Sequence, residues 1–284
     1  MSPAALPAVR FAPSPTGRLH KGHAFSALTA WTTAKALGAR FILRIEDIDH
    51  TRCRPAFEAG IYEDLTWLGL TWETPVLRQS DEGAVYRAAL EGLIERGLVY
   101  RCFRTRRDLT MASAPHGPVE AFRGQALAPA EEADRLARGE PFAWRLSLDR
   151  ALSALGPGTW QAFLEEGSGP EGQAGRIVTR PELGGDVVLA RKDVGVAYHL
   201  AVTVDDARQG VTHVVRGQDL FEATHVQCLL QALLDLPQPV YRHHRLLTGP
   251  DGKRLAKRDG AETLEDLRSR GVTPAALRRE LGFD

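Results

Sequence analysis

A doubly wound α/β fold, its parallel sheet split by an inserted α+β subdomain and followed by a small C-terminal helical segment, is the architecture this sequence predicts. Three observations predict it. The first 70 residues alternate short β-type runs with longer helical ones, in the order strand, loop, helix, strand, helix. The same alternation resumes near residue 198, after a stretch of different composition. Apolar residues make up 43% of the 284, enough to bury a sizeable core.

Taken in order, Val9 to Ala12 is a short apolar run and reads as the first strand. A loop rich in Pro, Ser and Gly follows, from Pro13 to Leu19. A helical stretch runs from about Gly22 to Leu37 and stops near Gly38, and Arg40 to Ile45 reads as a second strand. Pro55 suits the first turn of a helix, and Phe57, Ile61, Leu65 and Leu68 recur with helical spacing. Another helix is expected near Gly83 to Arg96. The stretch from Thr110 to Gly185 is rich in Ala, Gly and Pro, with a helix near Pro129 to Arg138, a strand from Phe142 to Leu148, and a loop at Gly169-Pro170-Glu171-Gly172. Tyr198 to Val204 suits a strand or a helix. Gly210 can cap a helix end, Val211 to Val215 reads as a strand, and Glu222 to Leu234 as a helix. Helical patterns near Thr263 to Ser269 and Thr273 to Leu281 each begin at a threonine placed to cap them. The expected organisation is therefore residues 1–79 and 191–240 as two halves of one α/β domain, 80–190 as the insertion, and 241–284 as a basic loop with a short helical tail.

Lys plus Arg number 36 and Asp plus Glu also 36, which excludes a general polycation but not a local basic patch. Cys53, Cys102 and Cys228 form no close pair, so we expect a reducing compartment and no disulfide scaffold. No secretory leader and no apolar stretch approaching the roughly 18 residues of a membrane span is present, so a cytoplasmic protein is expected.

Three segments carry chemistry. Phe11 to His23 joins a strand to a helix, where an open α/β sheet binds ligands. The helix N-terminus offers unpaired N–H groups to an anion, His20 and His23 can donate to phosphate oxygens, and Gly22 permits close approach. A Pro-rich turn with two exposed histidines is the plainer reading. Arg44 to Arg52 crowds Glu46, Asp47 and Asp49 at a strand end; a metal site, an amine site and a solvated turn all suit it. From Tyr241 to Arg258 lie six cations and one anion, flanked by glycines. Such a loop can close on a polyphosphate or serve as a solvated basic surface. A weaker signal interleaves Arg101, Arg104, Arg106 and Arg107 with Tyr100 and Phe103, a mix suited to nucleic acid.

The His20-Lys21-Gly22-His23 segment and the Lys253 to Arg258 loop together resemble the two signatures of class I aminoacyl-tRNA synthetases. FAPSPTGRLHKGH, LRIEDIDHTR, AYHLAVTVDD and THVVRGQDL resemble the glutamyl branch of that class, over about 10–75 and 186–284. About 25 residues follow the Lys257 loop, too few for the anticodon-binding region of full-length members. The chain is thus similar to the truncated paralogues, the glutamyl-queuosine tRNA(Asp) synthetases. The resemblance implies a Rossmann-type catalytic domain that activates L-glutamate with ATP and Mg²⁺, without tRNA. It also implies transfer of the glutamyl group to queuosine at the wobble position of tRNA(Asp), with the anticodon stem-loop as partner and the protein a monomer. Glutamate binding is implied for Arg10, Ala12, Ser14, Glu46, Tyr198 and Arg216, and ATP binding for Thr16, Gly17, His20, Gly22, His23 and Lys257. His20, His23 and Lys257 are implied to serve the reaction itself. Two departures stand out. Ala256 replaces the usual loop serine, and Cys102 lacks the companions of a zinc site, so no structural zinc is expected. A truncated glutamyl-tRNA synthetase charging a tRNA 3′ end, and a non-catalytic nucleotide- or RNA-binding relic, are the alternatives.

Overall fold

The computed structural model describes residues 6–104, 121–191, 195–248 and 262–283. Seven strands form the larger sheet: β1 Ala8–Phe11, β2 Arg40–Ile45, β3 Leu77–Arg78, β6 Ala162–Glu165, β7 Gly175–Val178, β10 His213–Gly217 and β11 Val240–His244. Their spatial order is β3-β2-β1-β10-β11-β6-β7. All neighbours are parallel except β6 and β7. The chain leaves β1 towards β2 and β3, then returns to its other side with β10 and β11. The crevice between β1 and β10 is therefore the switch point, where such sheets bind ligands. A smaller antiparallel sheet holds β4 Val99–Cys102, β5 Ala143–Leu146, β8 Val188–Arg191 and β9 Gly195–Val196, in that order.

Side chains alternate across a strand, so each strand of the large sheet must find cover on both faces. Val9, Phe11, Leu43, Ile45 and Val215 pack against helix α1, Lys21–Leu37, and helix α2, Pro55–Trp67. Ala8, Ile42, Val214, Tyr241 and Phe163 face the other way, onto Phe221 and Cys228 of the helix Phe221–Leu233. Helix α1 ends where Gly38 turns left-handed, φ 58°, a conformation that costs glycine nothing. The tail helices Leu264–Ser269 and Pro274–Glu280 start at Thr263 and Thr273, whose hydroxyls accept from the N–H groups of Asp266 and Ala276. Leu264, Leu267, Leu277 and Leu281 join the core under α1 and α2.

Of the two readings open for the segment from Tyr198, the helix is the one formed: Tyr198–Arg208 is helical, and Leu200 through Asp206 are all buried. A helix covered on all sides has no polar stripe, so its period is invisible. Strands β6 and β7 lie within the span read as insertion and loop, yet they extend the large sheet beside β11. Each is four residues long, and β7 is largely exposed, so neither shows an apolar alternation. The smaller sheet is tied down by buried Asp186, which accepts from the Tyr100 hydroxyl (2.8 Å) and the backbone N–H of Gly124 (2.8 Å) and Leu148 (3.0 Å).

Asp64 of α2 supplies a pH dependence. It is wholly buried, its oxygens accept no hydrogen bond, and Arg268 stands 3.5 Å away. Burial pushes its carboxyl up to about 6, with Arg268 and Arg18 pulling the other way. The unfolded chain titrates near 3.9. The folded state therefore holds this proton more tightly, and stability falls as pH rises from about 4 through about 6. Asp64→Asn should stabilise the protein at pH 8 by on the order of 2 kcal/mol and flatten that slope, measured by urea unfolding across pH.

Candidate active site

On each strand an apolar residue of the face packed on the helix Phe221–Leu233, Ile42, Ala8, Val214, Tyr241 or Phe163, is followed two residues along by Arg44, Arg10, Arg216, His243 or Glu165 in turn. All five are buried. They form a staggered polar patch across β2, β1, β10, β11 and β6 beside the switch point, with Arg10 and Glu165 level with Ile42, Val214 and Tyr241, and Arg44, Arg216 and His243 one pair further towards the C-terminal strand ends. Burying charge is costly unless it is paired, so the partners define what each residue can do.

Arg44 is completely enclosed. Its Nη1 donates to Asp206 Oδ1 (2.7 Å), its Nη2 to Glu46 Oε1 (3.0 Å), and its Nε lies 3.9 Å from Asp205 Oδ2. Burial alone would lower its pKa, but Asp206, Glu46 and Asp205 together hold it above the ordinary arginine range. Asp206 Oδ1 also accepts from Arg10 Nε (3.1 Å), and Arg10 Nη1 donates to the Val215 carbonyl (3.0 Å). Burial acts to raise the Asp206 pKa, and Arg10 and Arg44 outweigh it, keeping the carboxyl below its usual range. Glu46 is pushed up by burial, against the pull of Arg44 and Arg10. Asp205 accepts from Gln79 Nε2 and the Tyr86 hydroxyl, both at 2.8 Å.

Arg216 is different. Its guanidinium donates to Gln227 Oε1 (2.8 Å), Thr224 Oγ1 (2.7 Å) and His243 Nε2 (3.1 Å), and reaches the Tyr198 hydroxyl at 3.5 Å. Among the described residues no carboxylate pairs with it directly, so its charge is available to an anion in the cavity.

At the start of α1, His20 Nδ1 accepts from the Gly22 N–H (3.0 Å) and His23 Nδ1 accepts from the His20 N–H (3.2 Å). A ring nitrogen that accepts carries no proton, so both neutral imidazoles hold theirs on Nε2, as donors. A Cβ on Gly22 would come within 2.9 Å of the His20 ring. The loop is fastened to the tail as well: Leu264 N–H donates to the Leu19 carbonyl (2.8 Å), and His20 pairs with Thr263.

One cavity of about 390 Å³ at the switch point is lined by Arg10, Ala12, Ser14, Thr16, His20, Gly22, His23, Glu46, Tyr198 and Arg216. Residues far apart in sequence are thus brought to one place. Gly17 is buried and is not one of the residues lining it. Lys257, Ala256, Arg106 and Arg107 lie outside the described residues. Of the weaker basic cluster, Arg101 is tied to Glu132 and lies over the Trp144 ring at 4.4 Å. Arg104 lies over Phe122 at 5.8 Å. The sequence reading assigned no role to Arg44, Asp205, Asp206, Glu165, Thr224, Gln227 or His243; strand parity links Arg44 to Arg10, but only once the strands are aligned. A cleft lined by Asp49, Arg52, Arg191 and Val196 shares Ser14, Thr16, Glu46 and Tyr198 with the cavity. Among the described residues, no three His, Cys, Asp or Glu side chains gather to hold a metal ion. No described helix is long and apolar enough to cross a membrane.

The catalytic-domain model of class I tRNA synthetases for Glu and Gln matches residues 8–283. The chain belongs to this family. Its doubly wound sheet with the antiparallel insertion is the Rossmann-like fold of this class I synthetase family, whose members are ligases. The chain is 50% identical to a glutamyl-Q tRNA(Asp) synthetase of Rhodobacter capsulatus, over 96% of this chain and 99% of that one. It is 37% identical to a glutamate–tRNA ligase of a Synechococcus species, over 95% of this chain but 56% of that one. In three dimensions it resembles the crystal structure of glutamate–tRNA synthetase from Elizabethkingia anophelis, with a TM-score of 0.74 and 29% identity, covering 90% of this chain and 53% of that one.

Proposed function

We propose that this synthetase-family chain activates L-glutamate with ATP, without tRNA, and then glutamylates queuosine at the wobble position of tRNA(Asp). The observation that carries the amino-acid assignment is Arg216. It is a buried guanidinium with only neutral described partners, and it lines a cavity that Glu46 also lines. A side-chain carboxylate on Arg216 and an amino group at Glu46 satisfy both ends of glutamate. Glutamine would leave the guanidinium without its anion, which is the source of discrimination. Arg10, Ala12, Ser14 and Tyr198 complete the amino-acid side of the cavity.

Thr16, Gly17, His20, Gly22, His23 and Lys257 are assigned to ATP. The Nε2–H groups of His20 and His23 and the N-terminus of α1 suit its phosphates. Mg²⁺ carried by the triphosphate would draw charge off its oxygens, while His20, His23 and Lys257 are the residues of this chain assigned to hold those phosphates. An α-carboxylate oxygen of glutamate attacks the α-phosphorus, the bond to the bridging oxygen breaks, and pyrophosphate leaves. The fixed donors hold the reactants in line and meet the charge that builds on the phosphate oxygens. A hydroxyl of the modified base then attacks the mixed anhydride, forming an ester and releasing AMP. The cleft beside Asp49, Arg52 and Arg191 is the approach for that acceptor. The basic residues at 101–107 and 242–258 are assigned to the anticodon stem-loop of tRNA(Asp), and the protein works as a monomer in the cytoplasm, where tRNA is.

The test has two parts. Glutamate-dependent exchange of labelled pyrophosphate into ATP should proceed with no RNA present, and Lys257→Ala should depress it. Labelled glutamate should pass to tRNA(Asp) carrying queuosine and not to the unmodified tRNA. The likeness to glutamate–tRNA ligases favours a second acceptor, the 3′-terminal adenosine. Label mapped by nuclease digestion to the 3′ end would establish that reading instead, and absence of exchange would point to a non-catalytic relic.

A further inference from the structure

The polar patch does not end at Arg216. Its Nε–H donates to His243 Nε2 at 3.1 Å, and His243 Nδ1 lies 2.5 Å from Glu165 Oε2. Both His243 and Glu165 have completely enclosed side chains. A guanidinium Nε is always a donor, so His243 Nε2 must accept and be unprotonated. The imidazole proton therefore sits on Nδ1 and is given to Glu165. Oε1 of Glu165 is engaged as well, accepting from the backbone N–H of His243 and of Gly167, each at 2.8 Å. The loop carrying Gly167 presses against β11 so closely that a Cβ there would stand 2.2 Å from the His243 carbonyl oxygen. Glu165 comes from β6, and among the described residues its side chain's hydrogen-bond partners are His243 and Gly167, neither of which lines the cavity.

We propose that Glu165 and His243 are positioning residues for Arg216: the carboxylate fixes the imidazole tautomer, and the imidazole fixes the plane of the guanidinium while leaving its charge for the substrate carboxylate. A carboxylate placed directly on Arg216 would compete with the ligand. A neutral imidazole between them orients the group without neutralising it. Burial also holds the His243 imidazole below its ordinary range despite Glu165, in keeping with a neutral ring.

This inference rests on the reading of Arg216 as the glutamate anchor, and its tests separate the two. Nitrogen-15 NMR of the wild-type protein, with no substrate, should find His243 as the Nδ1–H tautomer; an Nε2–H ring overturns the proposal. Glu165→Gln keeps the Oε1 acceptor but turns the other position into a donor. The tautomer should flip, setting two donors face to face at Arg216. In pyrophosphate exchange, E165Q should then raise KM for glutamate on the order of tenfold while KM for ATP stays within about twofold. An unchanged glutamate KM, or both constants rising together, overturns the proposal. Should E165Q fail to fold, His243→Gln and His243→Leu decide it. Glutamine can still offer an acceptor near the Nε2 position, so H243Q should recover part of the glutamate KM that H243L loses, and equal effects overturn the proposal. Absence of exchange in the wild type sinks the assigned reaction, while the tautomer measurement still reads the relay.

Discussion

Arg44→Met should cost about 3–5 kcal/mol of stability, enough to leave many domains of ordinary stability largely unfolded. Methionine matches the aliphatic stem and fills much of the space. What it cannot replace is the charge that Asp206, Glu46 and Asp205 share inside the protein. Without Arg44, the three carboxylates remain buried with Arg10 as the cation already bonded to one of them. They must then take up protons or pull the site open to water. The folded variant would bind protons more readily than its unfolded chain, so its deficit against wild type should shrink as pH falls from about 7.5 to about 5.5. Urea unfolding at the two pH values reads both effects. A loss under about 1 kcal/mol at neutral pH would mean that solvent already reaches the cluster, in which case the pairing described here is worth little.

Arg216→Gln should behave in the opposite way. Its partners Thr224, Gln227 and His243 are neutral, so removal strands no buried anion. The fold should survive, with an unfolding midpoint close to wild type. The glutamate-dependent exchange reaction should not: kcat/KM should fall by about 10²–10³-fold, the loss expected when a charge-assisted contact made in a dry pocket is removed. Discrimination against glutamine should fall with it. The two arginines stand on one row of one sheet face, and what separates their roles is who faces them. An R216Q protein as unstable as R44M, or one keeping exchange within tenfold of wild type, would break that division.

Much of this was legible beforehand. Glu46, His20 and His23 fall in contiguous segments at a strand end and a helix start, where local pattern and ligand chemistry coincide, whereas Arg10, Tyr198 and Arg216 entered only through the family resemblance. The groups that serve those residues were not legible. Asp205 and Asp206 sit on a helix buried on every side, whose pattern does not distinguish helix from strand. Glu165 lies on a four-residue strand in a stretch dominated by glycine, and only pairing with β11 gives it a place. His243 was visible in a run of basic residues, where it counted as one more polar group beside the cations. Its enclosure and its two ring partners depend on contacts 27 and 78 residues away. Sequence periodicity reports which residues are covered; it does not report which distant chain covers them.

The parity of the five strands has a consequence for how such a protein can vary over time. Arg44, Arg10, Arg216, His243 and Glu165 share one sheet face because each stands an even number of residues from an apolar neighbour. Deleting or inserting a single residue ahead of any of them, within its strand, would swing that side chain to the opposite face. For Arg44 the destination is the aliphatic layer beneath α1 and α2, away from Asp206, Glu46 and Asp205. Lineages of this fold can therefore exchange residues and lengthen connecting loops, but the reading frame of these strands should stay free of gaps.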